Sequence, residues 1–221
     1  AEGGFNAAFV PYYSKLTKER DCFAAKVFAE QAFSLLLWVL LLFVIVIEII
    51  MPWALMVFVP GFVGSPERFD LAVSLTRITL PYLVFISLVA LASGILNTIG
   101  KFAAAAATPI LLNLSLISSV LWLASYTDTP AHALAWGVAL AGVLQLSWIL
   151  FWLARSGIIL MPRLPKITSD IKVLARKFFP AVLGTGVYQI SILIDTVFAS
   201  TLPAGSISYL FFADRINQLP M

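Results

Sequence analysis

Two ionisable residues, Asp195 and Arg215, lie well inside helices that are mostly apolar. Asp195 lies in Ser191-Ile192-Leu193-Ile194-Asp195-Thr196, and Arg215 in Phe211-Phe212-Ala213-Asp214-Arg215. An ionised group at mid-span costs about 3 kcal/mol on insertion scales, so each needs a physical reason to be there. Asp195 falls roughly six residues, about 9 Å, from the outer end of its helix. Gly184, Tyr188, Ser191 and Asp195 are spaced 4, 3 and 4, which places them on one stripe. A carboxylate with a hydroxyl one turn below it suits a hard cation or a proton. The competing reading is an interhelical hydrogen bond that holds a bundle together.

Arg215 is about nine residues, roughly 14 Å, into its helix, deeper than snorkelling reaches. Its guanidinium then faces a watery cavity or a buried anion, or else pairs with a carboxylate on another helix. Ser208, Phe211, Arg215 and Gln218 share one face, whereas Asp214 points about 100° away. Glu2, among Gly3, Gly4, Ala7 and Ala8, either borders a cavity beside small residues or ends a helix in solvent. Glu48, one turn before Pro52, reads as interfacial. Asn97, Asn113 and Gln145 read as interhelical glue. Trp38, Trp53, Trp122, Trp148 and Trp152 read as a belt at span ends. His132 follows Pro130 at a helix start and is expected to face solvent. Cys22, the single cysteine, has no partner for a disulfide or a CxxC site. No zinc site, phosphate-binding loop, dinucleotide turn or Ser-His-Asp set is legible.

The elements that carry these residues follow from composition. Of 221 residues, 61% are hydrophobic and 11% charged, too little charge for the surface of a soluble domain of this length. Apolar runs of about 20 residues cross a hydrocarbon core of about 30 Å. A short helical end from Ala1 to about Val10 is expected to stop at Pro11, with a charged stretch from Ser14 to Glu30 after it. Five full spans follow: Ala32 to Val59, Ile78 to Thr98, Ala106 to Tyr126, Ala131 to Ala154 and Phe179 to Thr201. A basic connection, Arg155 to Lys177, separates the fourth from the fifth. After the Leu202–Gly205 turn another helix starts near Ser206 and is cut at Met221. With no initiator methionine or signal peptide, the chain is expected to be a piece of something longer.

Eleven of the fourteen lysines and arginines fall in alternate loops, which places that side in the cytoplasm. The loops at Glu67–Asp70, Tyr126–Thr129 and Leu202–Gly205 then face outward. The net charge of +3 reflects this topology, so nucleic acid is not expected as a partner. The residues themselves lead as far as a multi-pass membrane protein with an intramembrane arginine and carboxylate, a transporter rather than an enzyme.

A resemblance extends this. Gln189-Ile190-Ser191, Ile194-Asp195-Thr196-Val197-Phe198-Ala199-Ser200, Gly205-Ser206-Ile207-Ser208-Tyr209 and Ala213-Asp214-Arg215 resemble the seventh and eighth helices of the MurJ (MviN) family of lipid II flippases. Ala1-Glu2-Gly3 with Ala8-Phe9-Val10-Pro11 is similar to that family's second helix. Leu96-Asn97-Thr98 with Phe102, Pro109 and Leu111-Leu112-Asn113 resembles its fourth and fifth, and Leu134-Ala135-Trp136 with Gly142-Val143-Leu144-Gln145 its sixth.

The resemblance implies an all-α, polytopic transmembrane bundle, part of a two-lobed exporter-type fold. Residues 1–177 would form most of the N-terminal lobe with the cytoplasmic inter-lobe connection. Residues 178–221 would form the first two helices of the C-terminal lobe, the second truncated. The implied activity is translocation of the lipid-linked peptidoglycan precursor across a bacterial inner membrane by alternating access, by a chain monomeric at full length, with lipid II and membrane lipids as partners. In that family the arginine matching Arg215 is thought to hold the diphosphate, the glutamate matching Glu2 borders the cavity, and the acid matching Asp195 belongs to a sodium site. No other cofactor is implied. The chain departs from the family pattern at Asn6-Ala7, where Ser-Gln is usual, and at Gln218, where glutamate is common. An exporter of another lipid-linked saccharide or a drug-like solute is the alternative. A membrane enzyme acting on lipid phosphates would need a nucleophile or metal cluster that the aqueous ends lack.

Overall fold

The computed structural model describes residues 2–19, 22–165, 168–203 and 205–217. Among these every regular element is helical, with no strand: α1 (Glu2–Glu19), α2 (Cys22–Phe58), a 3₁₀ turn (Pro60–Phe62), α3 (Pro66–Thr79), α4 (Tyr82–Thr98), α5 (Phe102–Ala106), α6 (Thr108–Leu123), α7 (Pro130–Arg155), α8 (Ser169–Ser200) and α9 (Ser206–Asn217). Four segments are long and apolar enough to cross a membrane: Phe23–Phe58, Pro66–Thr98, Phe102–Leu123 and Pro130–Arg155. In α8 the described apolar stretch is the shorter Gln189–Ser200.

Several boundaries differ from expectation, each for a local reason. Pro11 does not stop α1, which runs on to Glu19. Proline removes one intrahelical hydrogen bond, and here packing carries the helix across the gap. Phe9 stacks on Tyr13 and on Phe28 of α2, at centroid distances of 5.7 and 5.5 Å. Most of the charged stretch after Ser14 is also helical, since lysine, glutamate, alanine and glutamine are good helix formers. Lys15 and Glu19 form an i,i+4 pair there. The Glu67–Asp70 segment, expected as an outward loop, belongs to α3, so the second crossing is a kinked path from Pro66 rather than a span starting at Ile78. The kink sits at Leu80-Pro81, where proline has no N–H to continue the ladder. α8 starts at Ser169, ten residues before the expected Phe179.

α6 and α7 pack as an antiparallel pair, and α4 lies against α7. α1 is wedged among α2, α4 and α8. The core is made where these helices meet, from Phe9, Phe28, Leu88, Leu91, Ile95 and Leu153, each at most 2% exposed. α4 and α7 both end in a glycine with positive φ, Gly100 at 76° and Gly157 at 78°. Lys101 N–H then reaches Leu96 C=O and Ile158 N–H reaches Leu153 C=O, both at 3.0 Å, closing two Schellman caps. Large apolar side chains on the outer faces of α2, α6 and α7, such as Ile49, Leu121 and Phe151, are exposed. On a membrane-spanning bundle these are the lipid-facing positions.

Buried polar groups are mostly paired. Gln145, 2% exposed, accepts from Tyr82 Oη at 3.1 Å and donates to Thr108 C=O at 2.8 Å, the glue role expected of it. Asn97 Oδ1 is buried without a partner and Asn113 is exposed, so neither shows that role. His132 is not a solvent-facing residue: it is half-buried, Nδ1 lies 2.9 Å from Thr129 Oγ1 and Nε2 lies 3.2 Å from Ser74 Oγ. Trp148, half-buried, donates its indole N–H to Ala104 C=O of the short α5 at 3.1 Å.

Candidate functional site

The α8–α9 hairpin carries Asp195 and Arg215, and its geometry separates them. A cavity of about 160 Å³ lies between the two helices, lined by Asp195 and Thr196 of α8 and by Asp214 of α9 among apolar side chains. Asp195, itself exposed, and Asp214 thus line one cavity, and Arg215 is not among its lining residues. Thr196 Oγ1 donates its proton to Ile192 C=O at 2.8 Å, so only its lone pairs remain for the cavity. Two carboxylates and one hydroxyl oxygen are hard donors suited to a small cation. No cluster of three or more acidic, histidine or cysteine side chains exists among the described residues, so this donor set is partial. Of the expected stripe below Asp195, the side chains of Gly184 and Tyr188 lie outside what the structure describes, and Ser191 is exposed.

Arg215 lies on the neighbouring face of α9. Its guanidinium carbon is 5.2 Å from the centroid of Phe211, one turn earlier, a distance at which cation–π attraction holds. It makes no ion pair among the described residues, and it is exposed. Gln218 lies outside the described residues. Two turns before Arg215, Ser208 lines a second, larger cavity of about 620 Å³. That cavity is walled by α3, by the 3₁₀ turn and by the α8–α9 turn, and Arg68 is its one charged lining residue among those described. The Ser208–Arg215 face of α9 thus runs from the mouth of this cavity toward the basic end of the bundle. Glu2 is placed in the first turn of α1, but its side chain is not described.

Two polar constellations have no obvious signal in the sequence. Glu30, Ser34 and Trp38 form one stripe of α2, four residues apart, and all three grip Arg163 of the segment between α7 and α8. Glu30, whose side chain is 8% exposed, pairs with the guanidinium at 3.4 Å. Arg163 N–H donates to Ser34 Oγ at 3.0 Å, and Trp38 Nε1–H donates to Arg163 C=O at 3.2 Å. Nearby, Thr168 Oγ1 donates to Gln31 Oε1 and Tyr12 Oη to Asp170 Oδ1, at 2.8 and 2.7 Å. The start of α8 is thereby fastened to α1 and α2. Glu48, expected at the membrane interface, pairs with Arg77 of α3 at 3.8 Å. The i,i+4 spacing of Glu30, Ser34 and Trp38 is readable in sequence, but nothing local says that an extended segment 129 residues away lies across it.

The whole chain, rather than any single residue of it, matches a known architecture. The family model described as "Lipid II flippase MurJ" matches residues 1–221, the entire chain. This chain belongs to the MurJ family. A probable lipid II flippase MurJ from Rhizobium tropici is 42% identical over 225 residues, covering 100% of this chain and 42% of that protein. The lipid II flippase MurJ of Burkholderia cenocepacia is 34% identical, covering 100% of this chain and 43% of its own length. A solved structure of lipid II flippase MurJ in an inward closed conformation superposes with a TM-score of 0.72 at 28% identity, over 99% of this chain and 44% of that one. The chain therefore spans less than half the length of the MurJ proteins it matches. MurJ membership makes it a multi-pass α-helical membrane protein.

Proposed function

We propose that the full-length protein carrying this sequence is a monomeric flippase of the bacterial inner membrane that moves lipid II from the inner to the outer leaflet. Residues 1–177 form most of its first lobe with the inter-lobe connection, and residues 178–221 open its second. The basic end faces the cytoplasm, as the positive-inside rule requires. The observation that carries the reading is the state of Arg215 within a whole-chain family match. It is a guanidinium about 14 Å into its helix, with an aromatic ring as its contact and no ion pair among the described residues. Exposed at membrane depth, such a group is open to a polyanion. A diphosphate suits it, because the guanidinium fork binds two phosphate oxygens at once.

The lobes rock about a central cavity, so that Arg215 holds the diphosphate while the polyprenyl tail stays in the bilayer. Glu2 borders the same cavity from α1. A sodium ion at Asp195, with Asp214 and Thr196 adjoining, biases the cycle by binding one state better than the other. Lipid II and the surrounding membrane lipids are the partners, and no nucleic acid takes part.

Reconstituted vesicles test this directly. Arg215→Ala should abolish lipid II translocation while the protein still inserts and keeps its thermal stability. Arg215→Lys, which keeps a point charge without the fork, should give intermediate or no transport. Lost stability with unchanged lipid II binding per molecule would assign Arg215 to a structural salt bridge and remove the substrate role. Competition by other lipid-linked pyrophosphates as strong as that by lipid II would favour a broader saccharide-lipid exporter.

A further inference from the structure

The first lobe touches the end of α8 through a glycine that has no room for a side chain. Gly61 is the middle residue of the 3₁₀ turn Pro60–Phe62, which follows α2. A Cβ built on Gly61 would overlap the Ser200 C=O oxygen and carbon and lie 2.8 Å from Thr201 N. All three are backbone atoms at the last turn of α8, so no side-chain rotation relieves the overlap. Relief to ordinary van der Waals contact requires the two backbones to part. The contact also carries a hydrogen bond: Gly61 N–H donates to Ser200 Oγ at 3.3 Å, and Ser200 Oγ donates in turn to Val197 C=O at 2.7 Å. Ser200 is 5% exposed.

Neither side can yield locally. Val59 N–H is tied to Leu55 C=O, Phe62 N–H to Val59 C=O and Val63 N–H to Pro60 C=O, at 2.8, 3.0 and 3.2 Å. Proline at position 60 fixes its own φ. On the other side Thr201 N–H is bonded to Phe198 C=O at 3.1 Å, closing the end of α8. The parting must therefore be taken up between the elements, along the wall of the 620 Å³ cavity that Gly61, Ser200 and Thr201 all line.

We infer that Gly61 is the positioning residue of the outer closure: its bare α-carbon lets the turn after α2 dock on the C-terminal end of α8, and this docking holds the outer side of the transporter shut. The inference rests on the alternating-access reading above. Closing needs the α-carbon of Gly61 against the Ser200 carbonyl, and opening needs only their separation. Any side chain at position 61 therefore weighs against the closed state alone and shifts the population outward. The Gly61 to Ser200 hydrogen bond contributes less, since losing one neutral bond leaves the close approach intact.

The test uses the full-length protein in inverted and right-side-out vesicles, with Cys22→Ser as background and Ala72→Cys, half-buried in the cavity wall, as a reporter. Gly61→Ala should raise labelling by a membrane-impermeant maleimide from the outer side by about tenfold, the scale of a modest two-state shift. Ser200→Ala should raise it a few-fold at most. Unchanged labelling in Gly61→Ala, or an equal rise in Ser200→Ala, overturns the inference. A second arm keeps Gly61 and places cysteines at Phe62 and Thr201. Their oxidation should stop lipid II translocation, and reductant should restore it. If the alanine variant does not accumulate, this arm alone decides, and failure to cross-link overturns the docking. Cross-linked protein that still flips would refute outer opening itself, whereas a blocked cross-link with unchanged Gly61→Ala labelling removes Gly61 and leaves the transport reading standing.

Discussion

Removing the Arg163 guanidinium while leaving the Glu30 carboxylate should destabilise the full-length protein more than removing both charges. The Glu30 side chain is 8% exposed and lies 3.4 Å from Arg163, so an unpaired carboxylate would be left in a largely dry site. Coulomb attraction at that distance with an effective dielectric constant of 20 gives about 5 kcal/mol as an upper limit. The Arg163 side chain is 68% exposed, so water screens much of this and the net loss for Arg163→Ala is about 1–2 kcal/mol. The backbone of Arg163 keeps its bonds to Ser34 and Trp38 in that variant, which confines the change to the ion pair. Glu30→Gln removes the need for a counter-charge and should lose under about 1 kcal/mol. The double variant should be nearly as stable as Glu30→Gln alone, a coupling of about 1 kcal/mol in a double-mutant cycle. Detergent-induced unfolding followed by tryptophan fluorescence supplies the four stabilities. Strictly additive losses would show that Glu30 is not held by Arg163, and the clasp on α2 would then be a hydrogen-bonded contact only.

Gln145→Leu should lower stability by about 1–3 kcal/mol, because it removes the acceptor of Tyr82 and the donor to Thr108 C=O inside the α4–α6–α7 core; unchanged unfolding would show that both partners find water. Asp195→Ala should weaken the sodium response of lipid II translocation without impairing insertion, and Asp195→Asn, which keeps a carbonyl oxygen, should do so less. An unchanged sodium response in both variants would assign Asp195 to interhelical packing.

The membrane-spanning, all-helical class was legible because the bilayer imposes it residue by residue. A backbone in hydrocarbon must satisfy its own hydrogen bonds, so twenty apolar residues in a row have one outcome. α7 shows this: the expected Ala131–Ala154 lies inside Pro130–Arg155, where Thr129 caps the helix and Pro130 starts it. Asp195 and Arg215 stood out for the same reason, since a charge in such a run is costly wherever its partner is. Pairing was not legible. That Asp195 and Asp214 line one cavity depends on the angle at which α9 returns along α8, which the Leu202–Gly205 turn alone does not specify. Pro11 and the charged stretch after Ser14 misled because their local preference for breaking or solvating a helix is worth only a few kcal/mol. Burial of Phe9, Tyr13 and Phe28 against one another outweighs it, and those contacts exist only once α1 lies on α2. The grip on Arg163 and the fit of Gly61 against Ser200 are likewise products of tertiary structure. Their partners lie 129 and 139 residues apart in the chain, and only the packed bundle brings them within a hydrogen bond.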